Sequence, residues 1–590
     1  DITNGLNNAV KAGETTADIA NQAAISYMTG NGIVDNANID MYLLAGNRII
    51  KYTIKDVTQP ASPARIFAYG LKSEFKPEEN GYKISFKLNE NAASVNLILT
   101  NDSTQEEVKV IAYGAKNKGA NEILINKSEI PETGEYNWKL RVSAANVTRF
   151  TKISDNNPLY NYFAPKGIAI DKSPESPYFG RIYITNTMTG ESASRATGTG
   201  IYVMGPDATD ITGQGNTAYT GGITWTGVNG EGPRKVTVTN DGRVFIADAS
   251  TTKAGIYYMN PETFAINSIF PNATVTSGSV KIGSTYVCGQ IVAIGSRGTG
   301  ASTQLYAVDK TASGSAWKKF VSVYNIGTNN TWTSAPTSSA AAGSFIGNDN
   351  SSIVPVSTGY WAGQYRGAGS NSVANPCMLY YSDSFRETVF NSAEFKDKNG
   401  ATVTLSQASQ NGGLAVNEAQ GIIALSYGGG VYVFDYKLNK DGIPVVNPKF
   451  QHTLGVPSVS YDDFAFDYAG NLYAVSNSGK FVSVWAMPTD NNSTTIPAAK
   501  SFVIKQNDFS EVQNPVLKSS VYPNPSDGYI TIESGEQIRT IQIYDLSGVL
   551  INSFNNLNKV KETIDVSNLQ SGVYLLRING GASIIKFTRK

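Results

Sequence analysis

Six aromatic and cationic residues stand in three loops of small polar residues. They are Trp225 in "GGITWTGVNGEGPR", Trp332 in "NIGTNNTWTSAP", and Tyr360, Trp361, Tyr365 and Arg366 in "STGYWAGQYRGAGSNS". A planar ring can take the C–H face of a sugar while neighbouring amides and hydroxyls take its hydroxyl groups. Arg366 adds a planar fork that could read a carboxylate, as on an acidic sugar. These six are the candidate ligand-binding residues. The same aromatics could instead pack between structural units.

Reactive chemistry has thinner support. His452, in "KFQHTLGVP", is the one histidine of the chain, so a multi-histidine metal site is excluded. No G-x-S-x-G, Walker loop, H-E-x-x-H or EF-hand loop is present. "FDYAGNLY" carries one residue too many between Asp467 and Gly470 for a sialidase Asp-box. Glu231, Asp248, Asp383, Glu418 and Asp463 are dispersed carboxylates near candidate loops, read as turn caps or solvated charges unless the fold gathers them. No catalytic residue and no metal ligand is assigned. Calcium is left open without an assignable ligand set, and no other cofactor is expected. Cys288 and Cys377 sit in strand-like runs and read as buried small residues, with a single disulfide between them as the alternative.

Composition narrows the setting. The chain has 590 residues, too many for one core. Lys and Arg balance Asp and Glu, 48 against 48, so nothing argues for nucleic acid or an anionic membrane surface. Charged residues are only 16%, while Gly is 56 and Tyr 32, which suits short strands joined by tight turns. No apolar run is long enough for a membrane-spanning helix.

The elements that must position any site are repeated. "GIYVMG", "GIYYMN", "QLYAVD", "MLYYSD" and "GVYVFDY" place tyrosines at 202, 257, 306, 380 and 432. A recurrence of roughly 50 to 75 residues is the period of a propeller blade. Upstream of each lies a partner strand, "GRIYITNT", "GRVFIADAS", "QIVAIGS", "SIVPVST" and "GIIALSY", with "GNLYAVSNS" continuing the series. Before several lies a third, "GIAID", "KVTVTN", "GGLAVN" and "DFAFD". A single blade buries too little apolar surface to stand alone, and stacking in a ring buries the faces between neighbours.

"VTNDGRVFIADAS" (238–250) and "AFDYAGNLYAVSNSG" (465–479) resemble the broad NHL-like and gluconolactonase-like propeller families. That resemblance implies the fold and leaves function open, because propellers host many chemistries. A gluconolactonase-like site would use Glu, Asn and Asp around a divalent metal, and those ligands have no identifiable counterparts here.

Residues 63–150 read as a small immunoglobulin-like sandwich. Ile84, Phe86 and Leu88, then Val95, Leu97 and Leu99, then Trp138, Leu140 and Val142 form its expected inward faces. Residues 1–62 hold "MYLLAGNRIIKYTI" (41–54), shaped like a blade fragment. Two arrangements follow: the sandwich inserted after the first blade of a seven-bladed ring, or a hairpin, a sandwich and a six-bladed ring over 151–515.

The tail, 518–590, closely resembles the C-terminal sorting domain of the type IX secretion system of Bacteroidetes. Pro523, Asn524, Pro525 and Gly528 open it; Tyr544, Asp545 and Gly548 form "YDLSG"; Asp565, Leu569, Gly572 and Tyr574 lie in "DVSNLQSGVY"; Lys586 belongs to the basic end. The resemblance implies export through the periplasm, with the secretion machinery as partner, to the outer-membrane surface or medium. In that family the domain is commonly cleaved.

The expected fold is therefore all-β: a six- or seven-bladed β-propeller, a small immunoglobulin-like sandwich and a C-terminal β-sandwich sorting domain. The expected function is binding or adhesion at the cell surface through propeller loops, to a glycan or protein. The alternatives are a surface polysaccharide hydrolase or lyase with a carboxylate or metal site in the ring's funnel, and a structural component of the envelope.

Overall fold

A computed structural model describes residues 64–131, 135–146, 149–211, 218–311, 320–336, 338–341, 352–363, 378–383, 388–391, 413–427, 430–438, 444–446, 453–454, 459–488, 492–498, 503–505, 519–580 and 584–590, with strands at 23–26, 38–45 and 48–55. The chain divides into two compact units: one holds the ring and most of the sandwich, the other chiefly the tail.

Six antiparallel sheets carry the repeat. Blade 1 is Pro165–Ile170, Ile182–Asn186 and Gly200–Met204. Blade 2 is Lys235–Val238, Val244–Asp248, Gly255–Met259 and Ile266–Ser268. Blade 3 is Ile291–Arg297, Gln304–Asp309, Phe320–Tyr324 and Ser338–Ala341. Blade 4 is Ser352–Val356, Gly359–Gly363, Met378–Ser382 and Thr388–Asn391. Blade 5 is Leu414–Asn417, Ile422–Tyr427 and Gly430–Leu438, edged by Pro444–Val446 and Thr453–Leu454. Blade 6 is Asp463–Phe466, Leu472–Ser476 and Phe481–Ala486, with Thr151–Lys152 as its outer strand. The first-named strand of each blade packs against the first of the next, and that of blade 6 packs against that of blade 1. The ring is a closed six-bladed propeller.

Packing explains why the strands read as continuous apolar runs. Each blade has a neighbour on both faces, so successive residues of one strand are buried in different cores. Tyr183 packs with Val236 and Ile246 of blade 2, while Ile184 packs with Val475 and Val482 of blade 6. Phe245 meets Leu305, Tyr306 meets Leu379, Trp361 meets Phe434, and Val433 meets Phe464. Six such cores bridge the six pairs of adjacent blades.

The repeat tyrosines differ in register from the expectation. Tyr202, Tyr257, Tyr380 and Tyr432 lie on third strands, but Tyr306 lies on a second strand. "QIVAIGS" and "SIVPVST" are innermost strands rather than partner strands. That offset accounts for the long interval between Tyr306 and Tyr380.

The seventh blade is corrected as well. Asn38–Ala45 and Arg48–Lys55 form a hairpin that pairs with Ala23–Ser26, in a sheet separate from the six that close the ring. The insertion runs the opposite way to the first arrangement. Sandwich strand Glu135–Ser143 precedes the ring, and Ser493–Pro497 returns to pair with it, Ser493 opposite Ser143 and Pro497 opposite Lys139. The propeller is thus inserted into the sandwich, and the ring ends at Ala486 rather than near 515. Ile84, Phe86, Leu88, Val95, Leu97, Leu99, Trp138, Leu140 and Val142 are all buried, as their alternation requires.

Two joints close the ring. Thr151 and Lys152 pair with Ala486 and Trp485, and the amide of Ile153 donates to Val484 O at 2.8 Å. At the starts of the innermost strands, Lys235 of blade 2 forms an ion pair with Asp463 of blade 6 at 3.1 Å and donates to Asp462 O at 2.6 Å. Asp463 also accepts the amide of Ile168 from blade 1 at 3.0 Å, and Lys166 is ion-paired with Asp462. Burial pushes the Lys235 ammonium down and the Asp463 carboxyl up, and their attraction opposes both shifts.

Removing one partner of such a pair leaves an uncompensated buried charge. Lys235→Met is expected to cost about 3–5 kcal/mol in urea unfolding, and Lys235→Met with Asp463→Leu to recover most of it. A single-variant loss under about 1 kcal/mol would show that the pair does not brace the joint. Ile496, buried after the ring has ended, should lose about 2–5 kcal/mol on truncation to Ala. An unchanged unfolding midpoint would place 493–497 outside the sandwich.

Candidate functional site: the propeller channel

The innermost strands enclose a channel of about 1130 Å³. In every blade the innermost strand comes first in sequence, and the starts of those of blades 1, 2 and 6 lie together, the Lys235 ammonium and the amide of Ile168 both reaching Asp463. Their starts crowd one mouth and the turns that follow them surround the other.

The first mouth is occupied by the ion pairs of Lys166, Lys235, Asp462 and Asp463. Asp462 additionally accepts the amide of Asn477 at 2.7 Å, and the Asn477 side chain donates to Asn229 Oδ1 at 3.0 Å.

The second mouth is polar. It presents Lys172 from blade 1, Asn240 from blade 2, Arg297, Ser302 and Gln304 from blade 3, Ser357 from blade 4, Glu418 and Gln420 from blade 5, and Asp467 and Tyr468 from blade 6. The returning segment adds Ser493, Thr494 and Thr495, so sandwich and ring share this wall. Thr494 Oγ1 donates to Ile66 O at 2.7 Å within the sandwich, and Asn471 Nδ2 donates to Arg65 O at 2.9 Å, which ties the sandwich to blade 6. Phe67, Phe179 and Tyr468 add ring contacts, with Phe179 and Tyr468 edge to face at 5.3 Å.

The turn "DYAGN" shows how the sequence shapes this mouth. Asp467 accepts the amide of Asn471 at 2.9 Å and its side chain at 2.8 Å. Gly470 has φ +86, a conformation that favours glycine, and a Cβ there would meet Gln420 Oε1 at 2.1 Å and displace that side chain. Burial pushes the Asp467 carboxyl up to about 7, against the hydrogen bonds that favour its charged form.

Of the dispersed carboxylates, Asp463, Glu418, Asp383 and Asp248 are each held by partners of their own. Asp463 and Glu418 line opposite ends of the channel. Glu418 accepts the amide of Ser357 at 2.9 Å, and Asp383 pairs with Arg297 at 2.6 Å. Asp248 is buried and accepts from Ser250 N at 2.7 Å and Oγ at 2.6 Å, and burial lifts it to about 6. Glu231 lies in the loop before blade 2, where its carbonyl accepts the amide of Ala249 at 3.1 Å. Among the described residues no group of three or more His, Cys, Asp or Glu could hold a metal ion.

Three of the aromatic candidates, Trp225, Tyr360 and Trp361, are buried. Trp225 packs edge to face on Tyr257 at 5.2 Å within the core between blades 1 and 2. Tyr360 and Trp361 lie on a strand of blade 4, facing opposite cores. Tyr360 stacks on Tyr381 at 5.0 Å, and Trp361 is fully buried against Tyr380 and Tyr436. Trp332 is half-buried over Tyr324, with its indole N–H donating to Ser334 O at 2.6 Å. Trp225, Tyr360 and Trp361 are spent on packing, while Trp332 keeps part of its surface open. Tyr365, Arg366, His452 and Cys377 lie outside the described residues. Cys288 is a buried free thiol.

Lys172, Asn240, Gln420 and Thr494 were not singled out in the sequence. Their one signal is positional: "AIDK", "VTND", "AVNEAQ" and "AFDYAG" occupy the same turn of different blades, which becomes visible once the innermost strands are aligned.

In the tail, Tyr529–Tyr544 is the spine, pairing with Ser520–Tyr522, Leu550–Asp565 and Gly572–Ile578, and Ile584–Arg589 adds the edge. Ile530, Ile532, Ile541, Ile543, Leu576 and Phe587 form its core. The motif residues build its turns. Asn524 donates to Lys586 O at 3.0 Å and accepts the amide of Thr588 at 2.9 Å, standing in for a strand's peptide group between Pro523 and Pro525. Gly528 donates its amide to Ser526 Oγ at 3.2 Å. Asp545 accepts the amides of Ser547 and Val549, both at 2.9 Å, and Gly548 turns the chain at φ +85. The Ser547 hydroxyl, donating to it at 2.6 Å, and these amides hold the Asp545 carboxyl below its usual range. Tyr544 donates to Gln542 Oε1 at 3.1 Å, and Asp565 accepts the amide of Ser567 at 2.8 Å. Tyr574, two residues after Gly572, stacks on Phe587 at 5.7 Å.

No curated protein sequence matches the chain. Solved structures with some likeness include PorZ, a surface component of the type IX secretion system of Porphyromonas gingivalis, at 11% identity and TM-score 0.31 over 95% of this chain and 73% of that one. A Trichoderma reesei carbohydrate-active enzyme of family AA12 gives 12% and 0.34 over 59% and 98%. TolB from Acinetobacter baumannii gives 11% and 0.26 over 76% and 89%. Likeness at this level carries no functional meaning. The tail is different: residues 520–590 match the family described as the secretion system C-terminal sorting domain. The last segment of the chain is thus a type IX sorting domain, and the protein ahead of it is exported to the cell surface or secreted.

Proposed function

We propose that the region ahead of the tail, roughly residues 1–515, is a surface-delivered binding protein. It captures a polar, glycan-like ligand at the second mouth of the propeller channel. The observation that carries this reading is the make-up of that mouth. Amide and hydroxyl side chains from the ring and from Ser493–Thr495 converge on a channel of about 1130 Å³, room for an oligosaccharide.

Binding is favoured over hydrolysis by how the carboxylates are used. A hydrolase working with two carboxylates needs them within about 5–10 Å across the scissile bond. Asp463 is tied to Lys235, Glu418 to Ser357, Asp467 to Asn471 and Asp383 to Arg297, and the first two stand at opposite ends of the channel. The sorting domain serves delivery, with the secretion machinery as its partner.

Two measurements address the halves of the proposal. Deleting 520–590 should leave the protein in the periplasm, read by protease accessibility on intact cells, and unchanged surface display would refute the delivery role. Screening the purified full-length chain on a glycan array should give binding to at least one glycan class. Asn240→Ala with Gln420→Ala should weaken that binding about tenfold, on the order of one lost pair of hydrogen bonds. Retained binding in the double variant would move the site away from the channel.

A further inference from the structure

Resting on that reading, we infer that Lys172 makes the second mouth a site for an anionic saccharide, one bearing a carboxylate or a phosphate. The cations lining the channel are Lys172, Lys235 and Arg297. Lys235 is ion-paired with Asp463, and Arg297 with Asp383 while also donating to Gln304 Oε1 at 2.9 Å and Val356 O at 3.0 Å. Lys172 has neither a hydrogen bond nor an ion pair among the described residues. Its side chain is open to the water of the channel, while the ring surrounds it.

The backbone holds it there. Lys172 follows the innermost strand of blade 1, in a turn fixed by Asp171, which accepts the amide of Ser173 at 3.2 Å and the hydroxyl of Ser176. The turn's own carboxylate is thereby taken up locally. Glu418 and Asp467 are the acidic groups whose fields reach Lys172 and favour its charged form, and each accepts its hydrogen bonds from other groups, Ser357 and Asn471. Enclosure penalises the bare ammonium, so an arriving anion gains more there than at an open surface.

Neighbouring groups complete the recognition. Gln420 accepts from Asn417 Nδ2 at 2.9 Å, which leaves its own amide nitrogen with no partner among the described residues. Asn240 donates to Gly298 O at 3.3 Å, which leaves its side-chain oxygen as an acceptor. One cation, one donor and one acceptor from blades 1, 5 and 2 can read an acid group and the hydroxyls beside it.

Calorimetric titration of the full-length chain with trigalacturonate, maltotriose and inorganic phosphate tests this. Trigalacturonate should bind at least about tenfold more tightly than maltotriose, with an advantage that shrinks as salt rises. Lys172→Gln should abolish that advantage while leaving the thermal midpoint unchanged, and Lys172→Arg should keep it. Competition by inorganic phosphate would assign the anion as phosphate, and its absence as carboxylate. Equal binding of the two sugars by the wild type, or an acid preference surviving in Lys172→Gln, would overturn the inference and leave the channel reading standing. Binding of neither sugar, with no phosphate binding, would remove both.

Discussion

A ring of blades has one joint that chain connectivity does not supply, the seam between its first and last strands, and everything else in this molecule depends on it. Here the seam has two parts. Thr151–Lys152 forms the outer strand of blade 6, and the buried pairs of Lys166 and Lys235 with Asp462 and Asp463 tie blades 1 and 2 to blade 6 at the channel's first mouth. Neither part is strong alone. Two paired residues contribute few hydrogen bonds, and a buried ion pair offsets its desolvation cost only when its remaining groups are satisfied. Together with the core shared by Ile184, Tyr202, Val475 and Val482 they make the seam equivalent to any other blade interface.

The seam also decides what the sandwich does. Because the ring is inserted into the sandwich, both ends of the ring leave from the same body. The chain that exits blade 6 returns at Ser493–Pro497 and brings Thr494 and Thr495 to the second mouth. A sandwich joined by one connection could hang as a spacer. One joined by two, and bonded through Arg65 and Phe67 to blade 6 and its neighbour, becomes part of the wall of the site.

Much of this was legible in the sequence, and the failures have physical causes. Blade strands announced themselves because burial on both faces demands apolar runs, and the sandwich's inward residues because burial on one face demands alternation. The tail could be read from its turns, since Asn524, Asp545 and Gly548 each satisfy a backbone need that few residues meet. Register was harder. "QLYAVD" fits a second or a third strand equally well, because both are buried on both faces. Pairing between residues 143 and 493 leaves no local signal at all, so the direction of insertion was beyond a sequence argument. Trp225, Tyr360 and Trp361 could not be placed for a related reason: an aromatic flanked by Gly and Ser suits a sugar platform and an inter-blade core alike, and only burial separates them. Lys172 escaped notice because a lysine in a turn is ordinary until six turns are arranged around one channel.

The division of labour that results is between a delivery module and a closed, two-mouthed ring whose polar mouth is completed by chain from far away in sequence. Native-state amide hydrogen exchange on residues 139–143 and 493–497 tests that architecture most directly. If 493–497 is the edge strand of the sandwich, its paired amides will be protected and will open together with those of 139–143. Exchange of 493–497 at the rate of an unstructured peptide, with 139–143 still protected, would contradict the inserted ring and the shared wall built on it.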